Sequence, residues 1–322
     1  MSKVSQESGI RVTVIHGREI DSGLAEQWQR IVDEDDIYSS PYLSPAYTQI
    51  AAQSREETRV ALLYSEGRLV GFFPFELLGH RKAGPVGNHF SDQQAAIIER
   101  GISLCVRDLL VGANLAEWRF DHLLACQQPF RRYIEKHECS PVIDLTWGYE
   151  HYRQKMIEQR RRQLSQSEHN ERRLRLKFSD FTFTTRSRSE DDLNTLLDWK
   201  RAQLARSGSP GHYGCYWEND LIRRLMDADT PAFAGVLSTL HADGRLIAAE
   251  LGLRSRRVWH GWIPAYAQDL AAYSPGHVLS LSMLRASGSL GVTQIDLGKG
   301  MYPYKRRLMT GTIAIAEGVA HL

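Results

Sequence analysis

The stretch that determines the fold is Val236-Leu-Ser-Thr-Leu-His-Ala-Asp-Gly-Arg-Leu-Ile-Ala-Ala-Glu-Leu-Gly-Leu-Arg254, in which two apolar runs flank Asp243-Gly244. Asp-Gly between such runs indicates a β-hairpin, because both turn residues tolerate positive φ. A similar stretch lies earlier in the chain, Val60-Ala-Leu-Leu-Tyr-Ser-Glu-Gly-Arg-Leu-Val-Gly-Phe-Phe-Pro-Phe-Glu-Leu-Leu78, with Glu66-Gly67 at the turn. The sequence therefore predicts two related hairpins, one in each half.

The elements around the two hairpins repeat in the same order, which indicates an internal duplication. Each hairpin follows two predicted helices and precedes a helix and then a short strand with an acidic residue near its end. The predicted elements are helices 23–32, 44–52 and 92–110 with strands 117–121 and 141–145, then helices 190–206, 217–227 and 276–290 with strand 293–296. This order predicts an α+β fold of two tandem domains, each a mixed, mostly antiparallel sheet flanked by helices.

Composition and charge limit the classes of function. The chain has 322 residues, 42% of them hydrophobic, and a formal net charge of +2, which argues against wholesale nucleic-acid binding. Its length suits two domains, no apolar run approaches the ~20 residues that span a bilayer, and the N terminus lacks a signal-peptide core. The four cysteines have no CxxC spacing and are expected to stay reduced. A cytoplasmic enzyme is expected.

A basic segment separates the halves. Residues 150–177 contain nine Lys or Arg and four Glu, without Gly or Pro, which predicts a long, largely exposed helix. We expect an N-terminal domain over 1–148, this connector over 149–177 and a C-terminal domain over 178–322. The segment is either a solvated connector or a face that contacts a phosphorylated or polyanionic substrate. Arg160-Arg161-Arg162 is compatible with nucleic acid, but nothing aromatic is interleaved to stack bases.

Two segments near the C terminus indicate the donor half of an acyl-transfer site. Ile295-Asp-Leu-Gly-Lys-Gly-Met-Tyr-Pro-Tyr-Lys305 brings an acid, two tyrosines and two lysines to one glycine-interrupted turn. Upstream, Tyr273-Ser-Pro-Gly-His-Val-Leu279 opens an apolar-periodic helix directly after a strand. A strand-to-helix junction of this kind presents backbone N–H groups to an anion such as a pyrophosphate.

The order of elements and these two motifs resemble the tandem GNAT acyltransferases, in particular the CelD-like acetyltransferases of cellulose and exopolysaccharide production, which are related to the FemAB aminoacyltransferases. The resemblance runs from Tyr38 to the C-terminal strand and is sharpest over residues 236–306. It implies acetyl-CoA or a longer acyl-CoA as co-substrate and no metal. One departure is that Ala272–His277 keeps a single glycine where GNAT proteins carry a glycine-rich phosphate loop. The residues expected to bind the donor are Trp262, Ile263, Ser274, Gly276, His277 and Val278.

Acyl transfer needs a base, and a group that stabilises developing charge. Glu250 lies in an apolar strand, where burial raises a carboxyl pKa, and is the predicted base; an outward-facing strand residue is the alternative. Asp296 ends a strand as a candidate acid, or caps the following turn. Lys305, helped by Tyr304, is predicted to stabilise charge or grip an anionic substrate; an ordinary exposed turn lysine is the alternative.

The acceptor is expected to lie against Asp92, His122, His260 and Tyr216. Asp92 is predicted to cap the helix 92–110 and to face the interdomain cleft, and its charge there would repel a donor pyrophosphate from the first half. His122 ends the strand equivalent to the one that carries Asp296. His260 lies between Trp259 and Trp262 and is either structural or catalytic. Tyr216 belongs to an aromatic loop that suits a sugar or an acyl chain, or only packing.

The leading functional hypothesis is an acyl-CoA-dependent N- or O-acyltransferase that acts on a sugar, a lipid-linked saccharide or another envelope or exopolysaccharide precursor, in contact with polysaccharide-synthesis machinery. One alternative is a FemAB-like aminoacyltransferase that uses aminoacyl-tRNA. For this alternative, residues 150–177 are too short for a helical-hairpin tRNA arm. The other alternative is a catalytically silent scaffold in polysaccharide assembly.

Overall fold

The computed structural model describes residues 9–159, 162–208 and 213–322. The chain forms two compact units. The first comprises the described residues up to Cys139 together with Ile313–Leu322, and the second is Ser140–Thr312. This division differs from the predicted boundaries at 148 and 177, because the basic segment belongs to the second unit and the last strand to the first. The roles assigned to the two halves stay predictions.

The first part of the chain contains the elements β1 (Ile10–His16), α1 (Ser22–Glu34), α2 (Pro45–Ser54), β2 (Thr58–Ser65), β3 (Arg68–Gly79), β4 (Lys82–Gly84), β5 (Ile97–Ile98), α3 (Val106–Gly112), β6 (Glu117–Leu124) and β7 (Ile134–Asp144). The remainder contains α4 (Gly148–Glu158), α5 (Gln163–Lys177), β8 (Phe181–Ser187), α6 (Glu190–Arg206), α7 (Tyr216–Asp227), β9 (Phe233–Ala242), β10 (Arg245–Ser255), β11 (Val258–Tyr266), α8 (Pro275–Ala286), β12 (Gln294–Asp296), α9 (Pro303–Leu308) and β13 (Gly311–His321).

Each unit contains a mixed sheet. In the first unit β1, β2, β3 and β4 pair antiparallel in that order, β4 pairs parallel with β6, and β6 pairs antiparallel with β13. In the second unit β8, β9, β10 and β11 pair antiparallel in that order, β11 pairs parallel with β12, and β12 pairs antiparallel with the end of β7. The predicted α+β class is confirmed.

Both predicted hairpins are present, with their turns at the expected residues. Glu66 and Gly67 have φ values of 51° and 81°, and Asp243 and Gly244 have φ values of 47° and 74°. Two consecutive residues at positive φ give a turn whose twist matches that of the flanking strands. The hairpin β9–β10 thereby positions the strand that carries Glu250.

The predicted helix over 92–110 is wrong, and only its last turns are helical, as α3. Asp92 starts no helix, and the N-cap of α3 is Cys105. The preceding segment instead forms β5, whose Ile97 and Ile98 pair with β3. Two β-branched residues against a neighbouring strand, followed by Gly101 at φ 86°, override the helical periodicity because tertiary pairing outweighs propensity.

The basic segment also differs from its prediction, since it forms two helices, α4 and α5, rather than one exposed helix. Tyr152, Met156, Leu164 and Leu174 from these helices are buried in the core of the second unit. Arg285 of α8 donates to Glu171 of α5 at 2.7 Å. The segment is therefore a packed part of the unit. Arg160 and Arg161, which were considered for nucleic acid, lie outside the described residues.

The core of the second unit places helices against its sheet. Trp259 of β11, which is fully buried, joins Val278 and Leu281 of α8 and Leu174 of α5 in one cluster. Helix α6 contacts β10 and β11, so its buried face lies beside the strand that carries Glu250. Within the described ranges, none of the helices combines the length and the apolar character that crossing a bilayer requires.

Candidate active site

The strand β12 ends at Asp296 while β11 continues to Tyr266, and the candidate site lies along the part of β11 beyond the end of β12. β12 pairs only with Val258, Trp259 and His260 of β11. From Gly261 to Tyr266, β11 pairs with β10, and no other described strand pairs with it. This leaves one edge of β11 with backbone groups directed away from the sheet, which is a template for an extended ligand.

A β-bulge interrupts β11 at the start of this open edge. Leu251 lies opposite Ile263, whereas Gly252 lies opposite Gly261, so the register steps past Trp262. Trp262 is half-buried and Ile263 is fully buried. Bulges redirect backbone and side-chain groups and are frequent beside active sites. The predicted role of an amide near Trp262 or Ile263, polarisation of the donor carbonyl, stays a prediction that this geometry supports.

Glu250 of β10 lies against Gly261 across the strand pair. A Cβ atom on Gly261 would be only 2.3 Å from Oε1 of Glu250. The missing side chain of Gly261 therefore makes the space that the carboxyl group occupies. Glu250 is half-buried, so its carboxyl group is largely removed from water while a part of the residue remains accessible.

The environment of Glu250 gives it the protonation behaviour of a base. Burial raises the pKa of Glu250 to about 7, and the charges of His260, Lys200 and Lys305 oppose this rise. A carboxyl group with a pKa near the working pH is part ionised and still basic enough to accept a proton from a nucleophile. The expectation of a raised pKa at this position is therefore confirmed by the structure.

His260 and Asp296, which were separate candidates in the prediction from sequence, form a buried pair. They are register partners on β11 and β12, and Nδ1 of His260 lies 3.4 Å from Oδ2 of Asp296. Ser140 donates its hydroxyl to Oδ1 of Asp296, and the amide of Gly298 donates to the same oxygen at 2.9 Å. Asp296 therefore both orients the imidazole and caps the turn that follows β12.

The ionisation of Asp296 depends on these partners. Burial alone would raise the pKa of Asp296, but the charge of His260 and the hydrogen bonds from His260, Ser140 and Gly298 lower it below its ordinary value. A buried carboxylate is stable only when such partners replace its hydration. Asp296 thus supplies a fixed negative charge behind the imidazole.

Lys305 is buried, so the alternative of an ordinary exposed turn lysine is wrong. The residue is 6% exposed, and Nζ donates to the carbonyl oxygens of Gly298 at 2.8 Å and Lys299 at 2.9 Å. Gly298 and Gly300 have φ values of 75° and 97°, so the loop after β12 depends on glycine. Lys305 fixes this loop, and its charge acts on Glu250.

Tyr304, the neighbour of Lys305, keeps its phenolic proton. Burial raises the pKa of Tyr304 well above its ordinary value, and the negative charge of Glu250 and then Tyr302 raise it further. The ring of Tyr304 lies 6.3 Å from that of His277, measured between centroids. A half-buried phenol that stays protonated is a hydrogen-bond donor. Tyr304 is also close enough to Glu250 for the carboxylate charge to raise its pKa.

The N terminus of α8 has the features expected of an anion site. Ser274 is the N-cap with φ 48° and ψ 55°, it makes no side-chain cap bond, and the first turn has no acidic residue. A Cβ on Gly276 would lie 3.3 Å from the ring of Tyr266. Burial and then the charge of Arg307 lower the pKa of His277. Val278 is fully buried in the core and its amide donates to the carbonyl oxygen of Ser274 at 3.3 Å, so its contact with the donor stays a prediction.

The candidate acceptor residues other than His260 are divided between the two units. Asp92 and His122 belong to the first unit, where Nε2 of His122 lies 3.7 Å from Oδ1 of Asp92. Nδ1 of His122 lies 3.0 Å from Oδ1 of Asp121. Tyr216 is the first residue of α7 and is 87% exposed. Their proposed contact with an acceptor stays a prediction.

Three residues of the site were not predicted from the sequence: Lys200, Ser140 and Gly261. Lys200 follows Leu193, Leu196 and Leu197, which are buried, at the i, i+3, i+4, i+7 spacing of one helix face. Burial lowers the pKa of Lys200, and the charge of Glu250 opposes this. That spacing was the available signal. Ser140 and Gly261 offered none, because their roles arise from strand pairing.

Comparisons with known proteins agree with this geometry. Residues 156–306 match the family model described as an acetyltransferase (GNAT) domain. FemX is similar with a TM-score of 0.61 and 11% identity, over 92% of this chain and 94% of FemX. A conserved protein of unknown function from Bacteroides thetaiotaomicron is similar with a TM-score of 0.56 and 10% identity, over 92% of this chain and 97% of that one.

A tandem GNAT protein from the clavulanic acid biosynthesis pathway is similar with a TM-score of 0.53 and 11% identity, over 97% of this chain and 98% of that one. The search of curated proteins found no match. At these identities the structural likeness concerns the fold, while the narrower CelD-like assignment stays a prediction. Residues 156–306, which carry Glu250, His260, the start of α8 and Lys305, therefore match a GNAT acetyltransferase domain within a chain that shares its fold with a tandem GNAT protein.

Proposed function

We propose that the protein transfers an acyl group from an acyl-CoA to an amine or hydroxyl group, with Glu250 as the general base. The observation that carries this proposal is the position of Glu250, with its pKa of about 7, against Gly261 at the start of the open edge of β11. The match of residues 156–306 to an acetyltransferase domain supports acyl transfer as the class of activity.

The proposed donor site uses backbone groups. The N-terminal amides of α8, with no acidic residue in the first turn, suit the donor's pyrophosphate. The open edge of β11 from Gly261 to Tyr266 suits its extended pantetheine arm. An amide at the bulge near Trp262 or Ile263 would polarise the thioester carbonyl.

Two side chains account for the proton transfers of the proposed reaction. Glu250 accepts the proton of the acceptor's amine or hydroxyl while the acceptor's nitrogen or oxygen bonds to the carbonyl carbon. When the carbon–sulfur bond breaks, the thiolate takes a proton from Tyr304, whose raised pKa keeps the phenol protonated until then. Protonated Glu250 returns this proton to Tyr304 directly or through water. Asp296 and His260 contribute the fixed charge and packing behind Glu250.

The acceptor class that we infer is a sugar, a saccharide or an envelope or exopolysaccharide precursor. Its support is the resemblance of the sequence motifs to the CelD-like acetyltransferases, together with the exposed aromatic ring of Tyr216, since aromatic faces suit sugar rings. The assignment of Asp92, His122 and His260 to the acceptor, and a cytoplasmic location, are part of the same proposal.

A thioester-cleavage assay tests the function directly. Acetyl-CoA and longer acyl-CoAs are incubated with amino sugars and neutral saccharides, and the released thiol is measured along with the acylated product. Thermal-shift measurements with acetyl-CoA and free CoA report binding independently of turnover. We expect stabilisation by CoA compounds and acceptor-dependent thiol release. No stabilisation by any CoA compound, or turnover with aminoacyl-tRNA alone, would contradict the proposal.

A further inference from the structure

A basic pocket lies in the second unit, outside the residues assigned to the reaction. It has a volume of about 450 Å³ and is formed where the start of α5 meets α9. Its lining residues are Arg162, Gln163, Gln166, Arg306 and Arg307. Three guanidinium groups around one cavity, with two amides and no carboxylate in the lining, form a site complementary to an anion.

Two arginines of this pocket, Arg162 and Arg307, are available to a ligand. Within the described part of the chain, neither Arg162 nor Arg307 forms an ion pair or a side-chain hydrogen bond. Arg306 differs, because its Nε donates to the carbonyl oxygen of Met301 at 2.9 Å. All three residues are exposed. Like-charged groups held close together repel one another, and a bound anion relieves that repulsion.

Gln163 adds a neutral hydrogen-bonding group to the pocket. The residue is only 6% exposed and lines the pocket. Its side-chain amide can donate to the oxygen atoms of an anion. Gln163 is also the first residue of α5, a helix whose first turn has no acidic residue and whose N-cap makes no side-chain bond. The positive end of the helix dipole therefore adds to the field of the arginines.

We propose that this pocket binds a phosphate group carried by one of the two substrates of the transferase. Guanidinium groups bind phosphate oxygens in pairs, and several arginines suit a doubly charged phosphate better than a carboxylate. The lining has no aromatic side chain to stack a base, which favours a discrete phosphate ester over a nucleic-acid strand. The identity of the phosphate as a substrate group rests on the proposed function.

Either substrate of the proposed reaction, the donor or the acceptor, supplies a phosphate group for this pocket. Arg307 acts electrostatically on His277 at the start of α8, so the pocket lies within reach of the proposed pyrophosphate site, as the 3′-phosphate of CoA requires. A phosphorylated or nucleotide-linked saccharide acceptor supplies the same group. Matched pairs of probes distinguish them: CoA against dephospho-CoA for the donor, and UDP-N-acetylglucosamine against N-acetylglucosamine for the acceptor.

The test compares R162Q/R307Q with R172Q by isothermal titration calorimetry on the full chain. Arg172 lies on the same helix and is exposed, so R172Q makes the same change of charge outside the pocket. Each lost guanidinium–phosphate contact is expected to weaken affinity about tenfold. We therefore expect R162Q/R307Q to bind CoA or UDP-N-acetylglucosamine about 100-fold more weakly, with dephospho-CoA or N-acetylglucosamine unchanged. R307E alone, which reverses one charge, should weaken the same probe.

Three results would overturn the inference. These are unchanged affinity of R162Q/R307Q for both phosphorylated probes, an equal loss for the probe that lacks the phosphate, and an equal loss in R172Q, which would show only a general charge effect. Inorganic pyrophosphate serves as a probe that is independent of acyl transfer. If the protein transfers no acyl group but R162Q/R307Q weakens pyrophosphate binding and R172Q does not, the pocket stands and the proposed function fails.

Discussion

Nδ1 of His260 lies 3.4 Å from Oδ2 of Asp296, and neither side chain is accessible to solvent. The pair lies on the last two residues that join β11 to β12, because β12 ends at Asp296. A buried charge held at this point fixes the orientation of the imidazole. Because His260 also acts electrostatically on Glu250, the pair connects the end of β12 to the proposed base.

The variant D296N tests this connection. It keeps the size of Asp296 but removes the charge that faces His260, and breaking a buried pair on one side costs about 3–5 kcal/mol of unfolding free energy. We expect a loss of this order at pH 7, with a lower kcat. Since the pKa of Asp296 is lowered in the folded state, its stabilisation is present above the unfolded value of about 3.9 and is lost as pH falls below it.

Urea unfolding of the wild type and D296N between pH 3 and pH 8 measures that effect. The difference in unfolding free energy should be largest at neutral pH and shrink toward pH 3. S140A, which removes only one hydrogen bond to Asp296, should cost about 1–3 kcal/mol. A difference that does not change with pH would show that Asp296 acts through packing rather than charge.

The variant E250Q tests the proposed base. The amide keeps the shape of Glu250 but does not accept the acceptor's proton, so kcat should fall by about 10²–10⁴. The acid limb of the wild-type profile of kcat against pH should have a pKa near that of Glu250, about 7, and E250Q should lack this limb. E150Q, at an exposed glutamate of α4, is the matched control. A retained rate and limb would place the base elsewhere.

Glu250 should also make the fold less stable as the pH rises. Its folded pKa of about 7 exceeds the unfolded value of about 4.3, so the unfolded chain releases the proton first. Stability should therefore fall between about pH 4.3 and pH 7 and then level off. E250Q should have a higher Tm than the wild type at pH 8 and nearly the same Tm at pH 4. Equal differences at both pH values would contradict the raised pKa.

The sequence predicted both hairpins and the helices α1, α2, α6, α7 and α8 because those signals are local. Asp243-Gly244 marked its hairpin through turn chemistry, and the helix beginning near Gly276 was visible from its periodicity. The prediction of a helix over 92–110 was wrong because Ile97 and Ile98 pair with a strand that is distant in the sequence. The pairing of His260 with Asp296 was likewise hidden, since it depends on the register of two strands separated by a helix.

Side-chain burial was the other property that local patterns did not give. Glu250 was identified because its strand is apolar, and the structure confirms its raised pKa. For Lys305 the sequence left open an ordinary exposed turn lysine, but the loop folds back and its Nζ donates to two carbonyl oxygens. Predicting that Lys200 lies near the site required two things: which face of α6 is buried, and that this helix packs over β10 and β11.

The variant G261A tests the space that Glu250 occupies. A Cβ at position 261 would be 2.3 Å from Oε1 of Glu250, closer than any permitted contact, so the carboxyl group must move. We expect kcat to fall by at least about tenfold, since small displacements of a base are costly. G288A is the control, because a Cβ there has nothing within 4 Å. Full activity of G261A would remove the geometric argument for Glu250.

The variant K305M separates two roles of the buried lysine. Nζ donates to the carbonyl oxygens of Gly298 and Lys299, and removing a donor from a buried acceptor costs about 1–3 kcal/mol for each bond. If Lys305 acts by holding the loop after β12, K305M should lose about 2–6 kcal/mol of unfolding free energy and turnover together. K155M, at an exposed lysine of α4, should change neither. Urea unfolding and steady-state kinetics on the same preparations decide between the roles: unchanged stability with a loss of kcat alone would show that the charge of Lys305 acts on the reaction itself.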